Sequence, residues 1–585
     1  MKNNHSQPLS HHLFPFLDWL RDYNPSTFRA DLVAGITVAV VLIPQAMAYA
    51  MLAGLPPIYG LYAGAITPMI AALWGSMRQL ATGPIAIMSL LVLTTLSPMA
   101  EPGSPHFIKL AILLGHIVGL LYLIMGFLHM GHAMAFISHS AIRGFTAAAA
   151  LIIIATQVPN LMGLTVEKHE YIFPMLLGIL KGIPSVHGPT ALVGLISFAI
   201  IYGLKRIRPN FPAGLLALML TTWAVYFFNL HDSGIRIVGE FPSGLPRFQL
   251  PIFDMDIGFS LIGPAVVVAL VSFAETYSVG KVISSETKQK VDVNQEFIGQ
   301  GLANVIGSFF QCYPVSGSFS RTAINFSAGA RTGMSGVVSS IIVILALLFL
   351  TPLFTYIPKA TLAALVISAV LLLFHPKEVF VLWRKNHHDG VVAVTVFVLA
   401  LLAKPDYALL IGVMISLMLF LWKTMHPRIV RVSKKPDYNM FINADIHKIP
   451  SCPQILHLRS DNAIYFANAE YTVEHILERV NEMETRPKFL LLDCTAIGFI
   501  DITGTDELSV LREELETCNI RLALMGVHRP VMKVFETSGF WDELSPGAVF
   551  DNKGDAITDL FHDIDHVYCR EICPHCLYYE CFSVK

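Results

Sequence analysis

The chain has 585 residues, of which 54% are hydrophobic and only 14% are charged, whereas soluble domains carry about 25% charged residues. Its formal net charge of −2 at pH 7 provides no basic excess for binding nucleic acid. These values exclude an ordinary soluble protein and a nucleic-acid-binding protein as descriptions of the whole chain.

Residues 1–30 are predicted to form an N-terminal cytoplasmic segment. They lack the continuous apolar core and small-residue cleavage site of a signal peptide. The stretch Leu13–Leu20 predicts a short helix at the membrane interface. We therefore expect the first spanning helix to act as an uncleaved insertion signal.

Residues 31–425 are predicted to form a transmembrane domain, because long stretches lack Asp, Glu, Lys and Arg. Examples are Leu32–Met77, Gln79–Ala100, Ala111–Ile142 and Gly144–Val166. Crossing a bilayer takes roughly 20 apolar residues per helix, which gives about 14 windows here, several of them short. The windows are residues 32–53, 57–75, 83–98, 107–129, 134–158, 188–204, 212–229, 257–280, 295–312, 319–329, 335–352, 359–374, 389–403 and 407–424.

The basic residues predict the orientation. An even number of crossings places both termini on the same side, and Lys and Arg cluster on the cytoplasmic side of membrane proteins. The loops after the sixth, eighth, twelfth and fourteenth windows all fall on one side and contain Lys205, Arg206, Arg208, Lys281, Lys288, Lys290, Lys377, Arg384, Lys385, Lys423, Arg428, Arg431, Lys434 and Lys435. We expect a multi-pass protein of the cell membrane, the inner membrane if bacterial, with cytoplasmic N- and C-termini.

Two windows are too short to cross the membrane, and each is the third in its set of seven. One starts at Thr82-Gly83-Pro84 and the other at Ser316-Gly317-Ser318. Proline in the first helical position and Ser or Thr as the cap are typical helix starts. Helices that begin in mid-membrane direct free N–H groups at one spot, and matching interrupted segments indicate an inverted-repeat transporter. The alternative is two kinked or re-entrant helices without a ligand.

Two buried charges complete the predicted anion pocket. Glu275 ends a stretch, Ile257–Ala274, that carries no charge, and a carboxylate at membrane depth costs on the order of 3 kcal/mol or more unless it is paired, protonated or hydrated. Arg321 would add positive charge beside the two helix starts, with Ser318 and Ser320 as hydroxyl donors. We predict proton–anion symport with Glu275 as proton acceptor and Arg321 as its partner. The alternative is a permanent ion pair between two helices.

Gln45 and Tyr49, four residues apart, share a helix face and are predicted to line the same cavity. An interhelical hydrogen bond of roughly 1 kcal/mol is the competing explanation for Gln45.

At these residues the chain resembles the sulfate permease (SulP) family of anion transporters. The resemblance rests on Asp31–Tyr62, Asn294–Gly336 and the C-terminal domain. It implies a seven-plus-seven inverted repeat, a core domain and a gate domain with elevator-type movement, and an anion site between the third and tenth helices. The site residues it implies are Gln45, Tyr49, Gly83, Pro84, Ile85, Ala86, Ser318, Phe319, Ser320 and Arg321.

The resemblance also bears on coupling and selectivity. Glu275, followed by Thr276 and then Lys281, resembles the proton-coupled sulfate branch of the family rather than the sodium–bicarbonate branch. Ile85 stands where some relatives have an aromatic residue, which affects substrate size.

Residues 440–565 alternate short strands with amphipathic helices, which predicts a cytoplasmic α/β domain. The predicted strands are Gln454–Leu458, Ala463–Ala467, Lys488–Asp493 and Arg521–Leu524, and the predicted helices are Glu470–Val480 and the segment that follows Arg529. The motif Leu491–Gly504 resembles a STAS domain, whose soluble relatives are phosphorylated at the position of Thr503. The alternative is that Asp501 or Thr503 only caps the next helix, and the domain serves dimer contact, trafficking or regulation.

Residues 566–585 form a cysteine-rich tail with Cys569, Cys573, Cys576 and Cys581. Thiols this dense in a cytosolic tail indicate metal or redox chemistry rather than structural disulfides. Zinc is the metal we predict, and a tail of unliganded thiols is the alternative.

The sequence therefore predicts a secondary active transporter of inorganic anions, sulfate first, working as a homodimer by proton-coupled symport. The alternatives are a bicarbonate or dicarboxylate transporter, an uncoupled exchanger or channel on the same scaffold, and a membrane-anchored signalling platform. An enzyme is not predicted, because no nucleophile–base pair or phosphate loop is evident outside the membrane domain, and no cofactor other than zinc is expected.

Overall fold

The structure is a computed structural model that describes residues 14–131, 138–166, 171–208, 211–240, 244–251, 255–371, 374, 376–403, 405–435 and 440–584. It divides into two compact units, Met1–Ser416 and Leu417–Lys585. The prediction of a helical membrane domain followed by an α/β domain is confirmed.

The first unit is built from helices. The described ones, through the helix that ends it, are Phe16–Leu20, Pro25–Leu52, Pro57–Trp74, Ala86–Leu96, Pro105–Phe127, His139–Met162, Ile172–Gly182, Gly188–Ile207, Ala213–Phe227, Met255–Thr287, Val293–Phe309, Phe319–Ser327, Met334–Phe349, Thr351–Phe354, Lys359–Val370, Pro376–Lys385, His387–Leu402 and Pro405–Met425. Over these residues, 7 helices are long and apolar enough to cross a membrane. Each predicted window contains a helix, and the number of crossings stays a prediction.

The sequence patterns explain where several helices begin. Pro25 and Pro105 occupy first helical positions, where the missing N–H has no partner to lose. Asn24 precedes the first of these and accepts from the Thr27 amide at 2.9 Å, while Ser104 accepts from the Phe107 amide at 3.1 Å. Two helices were not predicted: Ile172–Gly182 is apolar but too short to cross a bilayer, and Pro376–Lys385 is short and amphipathic.

The helices pack as two groups, each drawn from both halves of the chain. The first group contains Pro25–Leu52, Pro57–Trp74, Pro105–Phe127, Val293–Phe309 and Met334–Phe349, and the second contains His139–Met162, Gly188–Ile207, Lys359–Val370 and His387–Leu402. Small residues allow close approach, as in other membrane helix contacts. A Cβ on Gly299 would lie 2.5 Å from the Gly75 backbone.

Two short strands meet at the centre of the first unit. Thr82–Gly83 pairs antiparallel with Ser316–Gly317. Each strand leads into a short helix, the first half-helix (Ala86–Leu96) and the second half-helix (Phe319–Ser327). The antiparallel pairing fits two segments that enter from opposite directions, as an inverted repeat requires.

The second unit contains a mixed sheet of six strands. Along the sheet the strands are Phe441–Asn443, Ile429–Lys434, Ile455–Ser460, Phe489–Asp493, Arg521–Met525 and Val549–Phe550. The last four are parallel and the first two pair antiparallel. The helices are Ala444–His447, Ala469–Asn481, Ile502–Thr517, Arg529–Ser538, Phe540–Glu543, Lys553–His562, His566–Glu571 and Cys581–Val584.

Both faces of this sheet are covered, because side chains alternate along each strand. One core contains Leu490 and Leu492 together with side chains of the helices Ala469–Asn481, Ile502–Thr517 and Arg529–Ser538. The other contains Phe489 and Leu491 and also Cys569 and Tyr578, so the cysteine-rich segment packs onto the sheet. The prediction of a strand at Ala463–Ala467 is wrong: only Ile464 forms a bridge, to Ile500, because the chain turns there into the next helix.

Candidate functional site

A cavity of about 670 Å³ lies between the two helix groups of the first unit. Both half-helices begin at its wall, where Ile85 and Ala86 meet Ser318, Phe319 and Ser320. The first N–H groups of a helix have no partner within it, and the helix dipole is positive at that end. The two helix starts therefore make this cavity a favourable place for an anion.

The predicted site residues divide into two sets. Those that line the cavity are Gln45, Tyr49, Ile85, Ala86, Glu275, Ser318, Phe319 and Ser320. Gly83, Pro84 and Arg321 lie outside the lining, directly behind it. The cavity wall therefore combines the starts of the two half-helices with side chains from inside the helices Pro25–Leu52 and Met255–Thr287.

Arg321 is completely buried and bonds to protein atoms of the first half. Its guanidinium donates to the Pro84 carbonyl at 2.8 Å and to Gln45 Oε1 at 3.4 Å. A Cβ on Gly83 would lie 3.3 Å from the other terminal nitrogen, so a side chain at this glycine (φ +147°) would crowd the guanidinium. The arginine thus connects the second half-helix to the start of the first.

Glu275 lines the cavity, but it forms no ion pair within 4.0 Å with Arg321. Its buried Oε2 has no hydrogen-bond partner. The helix around it is held in place by its neighbours: Thr276 Oγ1 lies 3.0 Å from Ser316 Oγ, and that serine donates to the Ser272 carbonyl at 2.9 Å. The backbone at Glu275 is therefore fixed beside the second strand, while Oε2 of its carboxylate has no hydrogen-bond partner.

The half-helices begin differently from the sequence expectation. The N-cap of the first is Ile85, which has no side-chain acceptor, and Pro84 precedes it. Thr82, expected as a cap, instead lies in the strand and accepts from Gln300 Nε2 at 2.8 Å. Ser318 does cap the second half-helix, accepting from the Arg321 amide at 3.4 Å. The amide groups of the first half-helix are consequently left open towards the cavity.

Sequence reasoning missed two cationic residues of the cavity wall, Arg143 and Lys205. A signal for Arg143 was present, because it is the single charged residue between Ala111 and Val166. Lys205 was assigned to a loop by its position after a window, but it lies in the last turn of its helix. Both add positive potential to a cavity that already has two helix starts.

Two further carboxylates in the first unit bond across the halves. Asp31 accepts from the backbone amides of Arg331 at 2.7 Å and Thr332 at 3.1 Å, from the Thr332 hydroxyl at 2.6 Å and from Tyr23. Glu296 accepts from the amides of Ser76 at 3.0 Å and Met77 at 3.1 Å. Each acid fixes a loop of the opposite half beside a half-helix.

The remaining predicted sites lie in the second unit. Thr503 is exposed at the second position of its helix, and Asp501 caps that helix by accepting from the Gly504 amide at 2.8 Å. Over the described part of the chain, no group of three or more His, Cys, Asp or Glu side chains could hold a metal ion. The four tail cysteines are free thiols, Cys569 buried and the others partly buried.

The fold and the cavity define a polytopic membrane protein with a central site between two helix groups, followed by an α/β domain. Two family models match the chain, the sulfate permease family over residues 28–396 and the STAS domain over residues 443–556. The chain belongs to the sulfate permease family, and its C-terminal unit contains a STAS domain.

Individual proteins agree with this assignment. The chain is 36% identical over 552 residues to sulfate transporter 4.1, chloroplastic, of Arabidopsis thaliana, covering 90% of this chain and 79% of the relative. It is 31% identical over 571 residues to high affinity sulfate transporter 2 of Stylosanthes hamata, covering 93% and 86%.

Solved structures share the fold. The murine Solute Carrier 26 family member A9 anion transporter matches with a TM-score of 0.87 at 23% identity, over 96% of each chain. The transmembrane domain of a cyanobacterial bicarbonate transporter, BicA, matches with a TM-score of 0.59 at 23% identity, over 67% of this chain and 98% of that one.

Proposed function

We propose that this protein is a secondary active transporter of an inorganic anion, with sulfate as the first candidate, driven by proton symport. The substrate assignment is supported by relatives named as sulfate transporters, which match nearly the whole chain. A doubly charged anion also suits a cavity where two helix starts, Arg143 and Lys205 all contribute positive potential.

The observation that carries the coupling proposal is the position of Glu275. Its carboxylate lines the same cavity, and one oxygen is buried without a hydrogen-bond partner. An ionised carboxylate in that position repels an anion and lacks compensation, so a proton taken up with the substrate removes both penalties. Release of the proton on the other side would restore the repulsion and favour exit of the anion.

We infer elevator-type movement from the division of the helices. Gln45 and Tyr49 of the first group face Thr146 and Ser368 of the second across the cavity. Arg321 attaches the second half-helix to Gln45 of the first group. The strand before that half-helix attaches the helix of Glu275 through Ser316. This attachment allows the site to move as one body with the first group, while the second group stays stationary in the membrane.

The test is uptake of labelled sulfate into proteoliposomes, with and without an inward proton gradient. Glu275→Gln should abolish gradient-driven accumulation while leaving sulfate exchange between equal pools intact. The matched control is Glu286→Gln, an exposed acid on the same helix, which should accumulate sulfate like the wild type.

Three outcomes decide the proposal. Gradient-driven accumulation by Glu275→Gln would remove this residue from coupling. Exchange without accumulation in the wild type would identify an uncoupled exchanger, and uptake of bicarbonate or a dicarboxylate but not sulfate would replace the substrate.

Arg321→Met should weaken sulfate binding at least tenfold, and unchanged affinity would exclude a role for the arginine in the site.

We further propose that both termini are cytoplasmic, that the protein is a homodimer, and that Thr503 is a regulatory phosphorylation site. The exposure of Thr503 supports access by a kinase. Labelling of cysteine tags at the termini in sealed vesicles tests the orientation. Mass determination in detergent tests the homodimer. Mass spectrometry of protein from cells tests the third, and a fully unmodified Thr503 under all growth conditions would contradict it.

A further inference from the structure

The segment Cys573-Pro574-His575-Cys576 contains two thiols with two residues between them. It lies in irregular chain between the helices His566–Glu571 and Cys581–Val584. Both cysteines are free and partly exposed, and the Cys573 thiol donates to the His575 carbonyl at 3.4 Å. Pairs with this spacing interconvert between dithiol and disulfide in many proteins, so the segment is a candidate redox site.

The chain on the N-terminal side of this pair is firmly attached to the sheet. Gln454, just before the strand Ile455–Ser460, accepts from the Asp565 amide at 2.8 Å and donates to the Asp565 carbonyl at 2.9 Å. The side-chain amide nitrogen of Gln454 also donates to Cys569 Sγ at 3.3 Å. On the other side, Tyr578 is only 3% exposed and belongs to the core of the domain.

Two thiols near the pair, Cys452 and Cys569, are more deeply buried than the pair itself. Cys452 and Cys569 are each 8% exposed and, with Cys573, Cys581 and His575, line a small void of about 10 Å³. A small disulfide in solution therefore reaches the partly exposed thiols of the tail rather than these two buried thiols, and among the partly exposed ones Cys573 and Cys576 are the nearest to each other in the chain.

We propose that Cys573 and Cys576 form a reversible disulfide by exchange with a low-molecular-weight disulfide such as oxidised glutathione. The thiolate of one cysteine attacks a sulfur of the small disulfide, forming a mixed disulfide and releasing one small thiol. The thiolate of the second cysteine then displaces the other small thiol. In total the pair loses two protons and two electrons, and one small disulfide becomes two small thiols.

Anchoring on both sides makes this loop a suitable place for such a switch. The bond closes within a segment whose ends are fixed by Asp565 and Tyr578, so oxidation changes the loop without releasing the domain core. It also removes the hydrogen of the Cys573 thiol, and with it the contact to His575. The redox state thereby changes the surface of the C-terminal segment that packs on the sheet of the second unit.

The test uses the full-length protein in detergent, equilibrated with glutathione buffers of increasing oxidised fraction, acid-quenched and labelled with a mass-tagged maleimide. We expect two thiols to become unreactive together in one two-electron transition, with a Cys573–Cys576 bond in the peptide spectrum. Cys576→Ser should lose this transition and carry a glutathione adduct at Cys573. Cys518→Ser, which changes a cysteine on the other side of the sheet, should behave like the wild type.

Several results would overturn the proposal. One is independent glutathione adducts on Cys573 and Cys576 in the wild type, and another is a bond from either to Cys452, Cys569 or Cys581. A third is a pair that stays reduced even in fully oxidised glutathione. Spectra of the wild type decide among these outcomes even if a variant fails to fold.

Discussion

Asp31 offers a quantitative test of how the two halves of the membrane domain are joined. It is completely buried and accepts from two backbone amides and the hydroxyl at Arg331 and Thr332, just after the second half-helix. Asp31→Asn preserves the shape of the side chain while removing its charge and one acceptor. The effect should therefore report the bonds themselves rather than lost packing.

The magnitude follows from the number of bonds. A hydrogen bond to a charged group contributes about 1.5–3 kcal/mol and one between neutral groups about 0.5–1.5 kcal/mol. In Asp31→Asn, the two amide bonds become neutral, which costs about 1 kcal/mol each, and the bond to the Thr332 hydroxyl is lost or reversed. We expect the loop to be destabilised by about 3–5 kcal/mol, or two to nearly four powers of ten in its opening equilibrium.

Hydrogen–deuterium exchange of the purified full-length protein measures this opening at the peptide that contains Arg331 and Thr332. Glu296→Gln serves as the reciprocal control, because Glu296 accepts from the amides of Ser76 and Met77 in the other half. Each variant should speed exchange at its own loop and leave the other loop protected. If Asp31→Asn changes exchange at its loop less than fivefold, the carboxylate does not hold the halves together and this reasoning fails.

Two further predictions concern the STAS domain and the helix groups. Burial alone raises the pKa of Asp493, but the nearby His457, the hydrogen bonds from Thr495 and the Lys553 ammonium, 3.1 Å away, together lower it well below its ordinary value. Burial lowers the pKa of His457. Exchange protection of this strand should therefore fall as pH drops below about 6.5, where unfolded His binds protons, and again below about 4, where unfolded Asp does. Lys553→Met should cost about 1.5–3 kcal/mol at pH 7 and shrink the second loss, and an unchanged acid profile would contradict this. Gly144→Ala should lower the thermal midpoint in detergent, because the new Cβ would meet the backbone of another helix and cause overpacking worth about 1–3 kcal/mol. Gly203→Ala is the control, since its Cβ would have free space and should leave the midpoint unchanged. Equal midpoints for the two variants would refute the contact.

Much of the membrane fold was predictable, because apolar windows and helix-start residues act locally. The positions of Gly83 and Gly317 already indicated two interrupted segments at matching places. The mutual pairing of those segments was not predictable, since it depends on strands more than 230 residues apart in the chain (Thr82 to Gly317). The helix Pro376–Lys385 was missed because its ten residues mix polar and apolar side chains, so it does not stand out as an apolar window.

The site shows the same limit more sharply. Composition predicted that Arg321 and Glu275 would meet, because two buried charges usually compensate each other. The arginine instead donates to the Pro84 carbonyl and to Gln45, which no pattern in the sequence could indicate. In the second unit, the thiol Cys452 joins the tail cysteines only through the packing of the sheet, although it lies over 100 residues before Cys569.

Three acids of the membrane domain can now be distinguished by their partners. Asp31 accepts four hydrogen bonds and Glu296 accepts four, most of them from backbone amides or hydroxyls of the opposite half. These hydrogen bonds hold a loop of the opposite half in place. Glu275 has a buried oxygen without a partner and lines the cavity. Of the three, it is therefore the acid that suits the proposed proton coupling, because its buried oxygen has no hydrogen bond to a loop that protonation would break.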